Sequence, residues 1–205
     1  MTDIWSDVRE FNAACGVRLR PTPGWVPDGD LALAMQLIAE ERDELLFALS
    51  SRDMVAAADG IADSMYVRVG LLLRLGLART YIHDLLLVHP KEPPSWVAFD
   101  ATHTMVYLGD ELEEIDDRIA VAITERRLMD IDVEAHRALY HLHAIAALLH
   151  IPLEAVWAEV QRSNMAKVVD GKVRRRVDGK IEKPTGWTPP DIAGVLGLGA
   201  VEDAA

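Results

Sequence analysis

The chain has 205 residues, half of them hydrophobic, and a formal net charge of −12. That length admits one domain or two very small ones, and so acidic a balance excludes a binder of nucleic-acid duplexes, which needs a basic footprint. A nucleotide substrate is not excluded, because divalent cations bridge carboxylates and phosphates. Cys15 is the only cysteine, which rules out an intramolecular disulfide framework and fits a reducing compartment. The first residues carry no basic stretch followed by an apolar one, and no apolar run approaches the ~18 residues of a membrane span. A cytoplasmic protein is expected.

In chain order, Ile4, Trp5, Val8 and Phe11 sit at helical spacing and predict a helix over 3–15. Pro21, Pro23, Gly24, Pro27 and Gly29 punctuate a loop. Asp30 is the expected cap of a long helix whose apolar stripe reads Leu33, Leu37, Leu45, Ala48 and Leu49. Ser50 to Asp53 break it, and the next helix runs from about 54 to 75 with Gly76 as its C-cap. Tyr81 to Val88 can continue as helix until Pro90, Pro93 and Pro94 stop it. Helices over 101–127, 132–149 and 152–167 follow, the last with Pro152 in its first turn. From Val168 the pattern changes to Asp-Gly turns between short apolar pieces, as in hairpins. The expected organisation is therefore an all-α bundle over 1–167 and an irregular basic arm and tail over 168–205.

The sharpest local signal is Glu40-Glu41-Arg42-Asp43-Glu44. On a helix, Glu40 and Glu44 share a face, as do Glu41 and Glu44. Like charges stacked in this way repel, and beside an apolar stripe their desolvation adds to the cost. Asp59 and Asp63, four apart within an apolar run, can supply partners from the next helix. Convergence of these carboxylates would suit a hard cation, two or more ions would suit phosphoryl chemistry, and a spare glutamate could orient or deprotonate water. Spacing alone equally describes a solvated acidic face.

The segments Leu37-Ile38-Ala39-Glu40-Glu41-Arg42-Asp43-Glu44-Leu45 and Ala58-Asp59-Gly60-Ile61-Ala62-Asp63-Ser64-Met65-Tyr66 resemble the all-alpha nucleotide pyrophosphohydrolase superfamily, the MazG and phosphoribosyl-ATP pyrophosphohydrolase-like group. The block Arg162-Ser163-Asn164-Met165-Ala166-Lys167 and the tail Gly186-Trp187-Thr188-Pro189-Pro190-Asp191 add to the resemblance. It implies a MazG-like helical bundle and hydrolysis of a nucleoside triphosphate between its α- and β-phosphates, giving monophosphate and pyrophosphate. The implied cofactor is Mg²⁺, with Mn²⁺ as its substitute. The implied metal ligands are Glu41, Glu44 and Asp63, with Asp59 provisional. Glu40 and Glu41 are the implied catalytic pair, Asn164 and Lys167 the implied substrate contacts, and a homodimer the implied assembly. One position departs from the pattern, since Gly60 stands where the group has a glutamate, and Asp59 is the nearest carboxylate. An Ala-Asp-x-x-x-Asp run of this kind resembles dUTPase-like members and points toward dUTP or another pyrimidine deoxynucleotide. Phosphoribosyl-ATP hydrolysis and a non-catalytic helical nucleotide sensor or scaffold remain the alternatives.

The segment 104–151 reads as a degraded second copy of 30–77, giving a fused pseudo-dimer. In that reading Glu113-Glu114 answers Glu40-Glu41, Tyr140 answers Tyr66, Glu134 falls opposite Gly60 and Arg137 opposite Asp63. His136, His143 and His150 are taken as ordinary helix histidines rather than a metal site. Trp187 is expected to pin the tail to the bundle. The basic cluster around Arg174-Arg175-Arg176 is either a solvated tail or an arm over substrate phosphates.

Overall fold

A computed structural model describes residues 3–77, 101–175 and 181–198. Its helices are α1 (Ile4–Ala14), α2 (Asp28–Ser51), α3 (Met54–Leu75), α4 (Ala101–Thr124), α5 (Leu128–Leu148), α6 (Leu153–Met165) and the short α7 (Ile192–Val195). Strands β1 (Val168–Val169) and β2 (Lys172–Val173) form a small antiparallel hairpin after α6. Its turn, Asp170-Gly171, has φ of 53° and 75°. Two positive φ values in succession favour Asp-Gly. The segment 78–100 and the second Asp-Gly turn lie outside the described residues. Among those described, no single helix is long and apolar enough to cross a membrane.

The bundle is built from two helical hairpins, α2–α3 and α4–α5, joined through α3 against α5 and α2 against α4. α3 is the central rod and is buried on nearly every side from Ala57 to Leu75. It starts at Asp53, whose carboxylate accepts from the Val55 and Ala56 amides at 3.1 and 3.0 Å, and stops at Gly76 with φ 67°. A side chain at that position would meet the Thr22 carbonyl as well as the left-handed backbone. α2 begins two residues before the expected cap. Pro27 holds the N-cap position and Asp28 and Asp30 fill the first turn, where carboxylates favour the helix dipole. Its buried stripe also differs from the one expected. Leu33 is half exposed, and the core side reads Leu31, Ala34, Ile38, Leu45 and Ala48. That sequence of steps leaves Glu41 in the stripe, between Ile38 and Leu45.

α1 and α6 close the bundle over the outer face of α3. Phe11 meets the Tyr66 ring edge-on, Tyr66 stacks on Trp157 at 5.3 Å, and the Trp157 indole donates to Asp7 at 2.8 Å. The tail is pinned to α6: the Trp187 indole donates to the Ser163 carbonyl at 2.9 Å, and Glu159 accepts from the Asp191 amide at 2.8 Å.

One polar contact crosses the core. Arg68 of α3, fully buried, donates to both oxygens of Asp116 on α4 at 2.8 and 2.9 Å and to the Ser64 carbonyl at 3.1 Å. Arg42 of α2 reaches the same carboxylate at 3.3 Å. Removing one partner of such a pair strands a charge in the core. Asp116→Asn should therefore lower stability by about 3–5 kcal/mol in denaturant unfolding, whereas Asp117→Asn, on the exposed side of the same turn, should stay within about 0.5 kcal/mol of wild type.

Candidate functional site

α2 and α3 bring the predicted carboxylates to one side of the bundle. Glu41 lies half-buried on α2, Asp59 and Asp63 half-buried on α3, and Glu44 exposed one turn beyond Glu41. Their charges act on one another. Burial, then the neighbouring Glu44, Asp59 and Glu40, push the Glu41 carboxyl up to about 7. Burial and Glu41 hold Asp63 well above the usual carboxylate range, and burial and Glu44 raise Asp59. The compensating cations are few: Lys167 acts on Asp59 and Asp63, and Arg68 on Glu41. Glu40 turns outward, is exposed, and accepts from Gln36 at 2.9 Å.

The distant block also arrives here. Asn164 and Lys167, at the end of α6, stand over the Asp63 side of the cluster. The Lys167 ammonium donates to the Asn164 side chain at 2.8 Å, and burial lowers its pKa while Asp63 raises it. Lys183 from the arm lies 4.1 Å from the Trp187 ring, and Lys167 lies 5.7 Å from the same ring. Two ammonium groups thus flank one indole at the edge of the site. In the sequence Lys183 is one member of the basic cluster of the arm, and the fold brings it to the same indole as Lys167.

Position 60 explains its own departure. A Cβ there would lie 3.2 Å from the Leu45 Cα and 3.3 Å from its Cβ. The helices approach closely at this point, so a side chain at 60 would require the Leu45 backbone to give by a few tenths of an ångström; Asp59 is the carboxylate at the neighbouring position. Beyond Glu44 the groove between α2 and α3 continues as a cavity of about 460 Å³ toward Phe47, Ser51 and Ala56. Phe47 is 74% exposed, the largest apolar side chain left open beside the acids. Its signal in the sequence was its place three residues after Glu44 on the same helix face.

Residues 8–86 match the family model of phosphoribosyl-ATP pyrophosphohydrolase. This stretch is a domain of the MazG-like, all-alpha nucleotide pyrophosphohydrolase superfamily. Comparison with curated proteins and with solved structures returns no match. The pyrophosphohydrolase domain spans α1 to α3 and so contains every acid of the cluster, and its family hydrolyses acid anhydrides of nucleotides. Asn164 and Lys167 lie outside the matched segment, yet the fold delivers them to it.

The donor set fits a divalent cation. Glu41, Glu44, Asp59 and Asp63 offer hard oxygen ligands at the core edge, and burial first and then mutual repulsion raise the carboxyls of Glu41, Asp59 and Asp63, both of which a cation would relieve. As the side chains stand, no three acidic, imidazole or thiol groups among the described residues enclose an ion, so side-chain rearrangement would accompany binding.

The sign of the metal-free pH dependence follows. Folded, Glu41 keeps its proton to about pH 7; unfolded, it loses it in the ordinary carboxylate range. Between those limits the unfolded chain binds fewer protons, so this residue's contribution to stability falls as pH rises. In chelator-treated protein, the melting temperature of wild type relative to Glu41→Gln should decline between about pH 4.5 and 7 and level off above. A difference that grows with pH would contradict the assignment of Glu41 to a crowded, desolvated site.

Proposed function

We propose that this chain is a Mg²⁺-dependent nucleoside triphosphate pyrophosphohydrolase, cleaving between the α- and β-phosphates to release a monophosphate and pyrophosphate. The observation that carries the reading is the joining of two sets distant in sequence: the uncompensated carboxylates Glu41, Glu44, Asp59 and Asp63, and the Asn164–Lys167 pair over Asp63. A triphosphate needs both, carboxylates to hold its cations and a fixed ammonium for its remaining charge.

In this reading Glu41, Glu44 and Asp63 hold Mg²⁺, with Mn²⁺ as substitute, and Asp59 completes the set in place of the missing glutamate at 60. The metal, when bound, supplies charge neutralisation for the phosphates and a more acidic water. Glu40, beside the cluster and exposed, orients the attacking water, and Glu41 is the second candidate for taking its proton. Lys167 donates to a phosphate oxygen, steadied by Asn164, and Lys183 adds charge from the arm. The nucleoside extends along the groove past Glu44, where Phe47 offers a face to the base.

A pyrimidine deoxynucleotide such as dUTP is the first substrate to test, because the Asp59 to Asp63 spacing resembles that of dUTPase-like members. Phosphoribosyl-ATP is the second, because the matched family carries that name. The assay is pyrophosphate release from a full nucleotide panel with Mg²⁺ or Mn²⁺. Glu41→Gln and Asp63→Asn should lower kcat roughly 10²–10⁴-fold. Lys167→Met should cost about 10–100-fold in kcat/KM, the worth of a charge-assisted hydrogen bond. Phe47→Ala should raise KM with little change in kcat or in melting temperature. A wild-type protein that turns over no nucleotide yet binds one by calorimetry would favour the sensor instead.

A further inference from the structure

The two hairpins of the bundle keep one register throughout. Left-handed residues follow the helix ends at Arg52 (φ 59°) and Arg126 (φ 58°), and again at Gly76 (φ 67°) and His150 (φ 54°). Each pair is 74 residues apart, the separation of Arg42 and Asp116. The capping bonds repeat with them: the Asp53 amide donates to Ala48 as Arg127 does to Ala122, and Leu77 to Leu72 as Ile151 does to Ala146. Buried positions coincide too, with Ile38, Leu45, Ile61 and Met65 answered by Leu112, Ile119, Ala135 and Leu139.

The contacts between the hairpins carry a twofold. Arg42 and Asp116 occupy the same position in the two halves and touch at 3.3 Å, as a residue beside a twofold axis touches its own mate. The cavities come in matched pairs. One is lined by Met35, Ala120, Ile123 and Arg126, and its mate by the corresponding Gly109, Leu46, Leu49 and Arg52. The groove beside Asp43, Glu44, Phe47 and Asp53 is answered by one beside Asp117, Arg118, Val121 and Arg127.

This register moves the acidic run by one residue from its expected alignment. Glu114 answers Glu40, and Ile115, fully buried between Leu112 and Ile119, answers Glu41. Glu44 is answered by Arg118, Asp59 by Val133, Asp63 by Arg137 and Gly60 by Glu134. Where the first half crowds carboxylates, the second pairs them: Arg118 binds Glu134 at 3.0 Å and Glu114 at 3.2 Å, and Arg137 binds Glu111 at 2.6 Å.

We infer that 28–77 and 102–151 are two copies of one helical hairpin about an internal twofold, and that the second holds a disarmed metal site, in which the guanidinium groups of Arg118 and Arg137 stand at the positions of Glu44 and Asp63. A guanidinium supplies fixed positive charge to the remaining carboxylates and leaves no ligand set for a cation. The chain thus contains one competent half and one that completes the bundle in the role of a partner subunit. The inference rests on the proposed metal site of the first half and not on what that site hydrolyses.

Reversal of the two charges tests it. The parent carries Glu41→Gln and Asp63→Asn, which remove ligands from the first half. Arg118→Glu and Arg137→Asp are then added, so that Glu114, Glu134 and the two introduced carboxylates form the set although Ile115 contributes no oxygen; both replaced side chains are partly exposed, at 37% and 43%, so the core is not invaded. Manganese alone is the probe, read by loss of its free paramagnetic signal and by thermal unfolding. The expected result is manganese binding, with a manganese-dependent rise in melting temperature, that the parent lacks. A folded variant that binds no more manganese than its parent overturns the inference. So does a variant unfolded without metal whose helix content manganese fails to restore.

Discussion

The ion pair of Arg68 with Asp116 ties the two hairpins together through their shared core. Both side chains are removed from water, so neither tolerates the loss of the other, and Arg42 adds a third member from α2. The pair bridges α3 to α4, while α2 and α3, which carry Glu41 and Asp63, pack directly on each other. Arg68, held by a carboxylate from α4, is also the cation that acts on Glu41.

Against that frame of paired charge, the α2–α3 face stands out for leaving carboxylates together. Glu41 occupies a position on the buried stripe of α2, between Ile38 and Leu45, that packing would give to an apolar residue. The fold accepts this at a cost in desolvation and repulsion. Divalent cations and a triphosphate would offset that cost, and Lys167 and Lys183 wait at the margin with charge of the right sign for phosphate.

The helices and their breaks were legible in the sequence because their signals are local. Gly76, Asp53 and the proline-rich loop act within a few residues of themselves. So was the gathering of Glu41, Glu44 and Asp63 on one side of the bundle, since helical spacing and a short α2–α3 turn place them together. The buried stripe of α2 was misread around Leu33 because a helix between several neighbours buries a face that one-dimensional periodicity cannot orient. Arg68 reads as a stray charge in an apolar run until Asp116, 48 residues away, is seen against it. Gly60 reads as a lost ligand until Leu45 is found at its Cα. On the inferred 74-residue register the acids at 113–114 stand one residue from Glu40-Glu41, because similarity of acids outweighs, in a sequence, the caps and buried positions that set that register.

The measurement that bears most directly on the central claim is the position of cleavage, followed by phosphorus NMR on a triphosphate incubated with the protein and Mg²⁺. The account predicts a nucleoside monophosphate and inorganic pyrophosphate as the only products, formed with Mg²⁺ and not with chelator. Diphosphate and inorganic phosphate, or turnover indifferent to chelator, would contradict it.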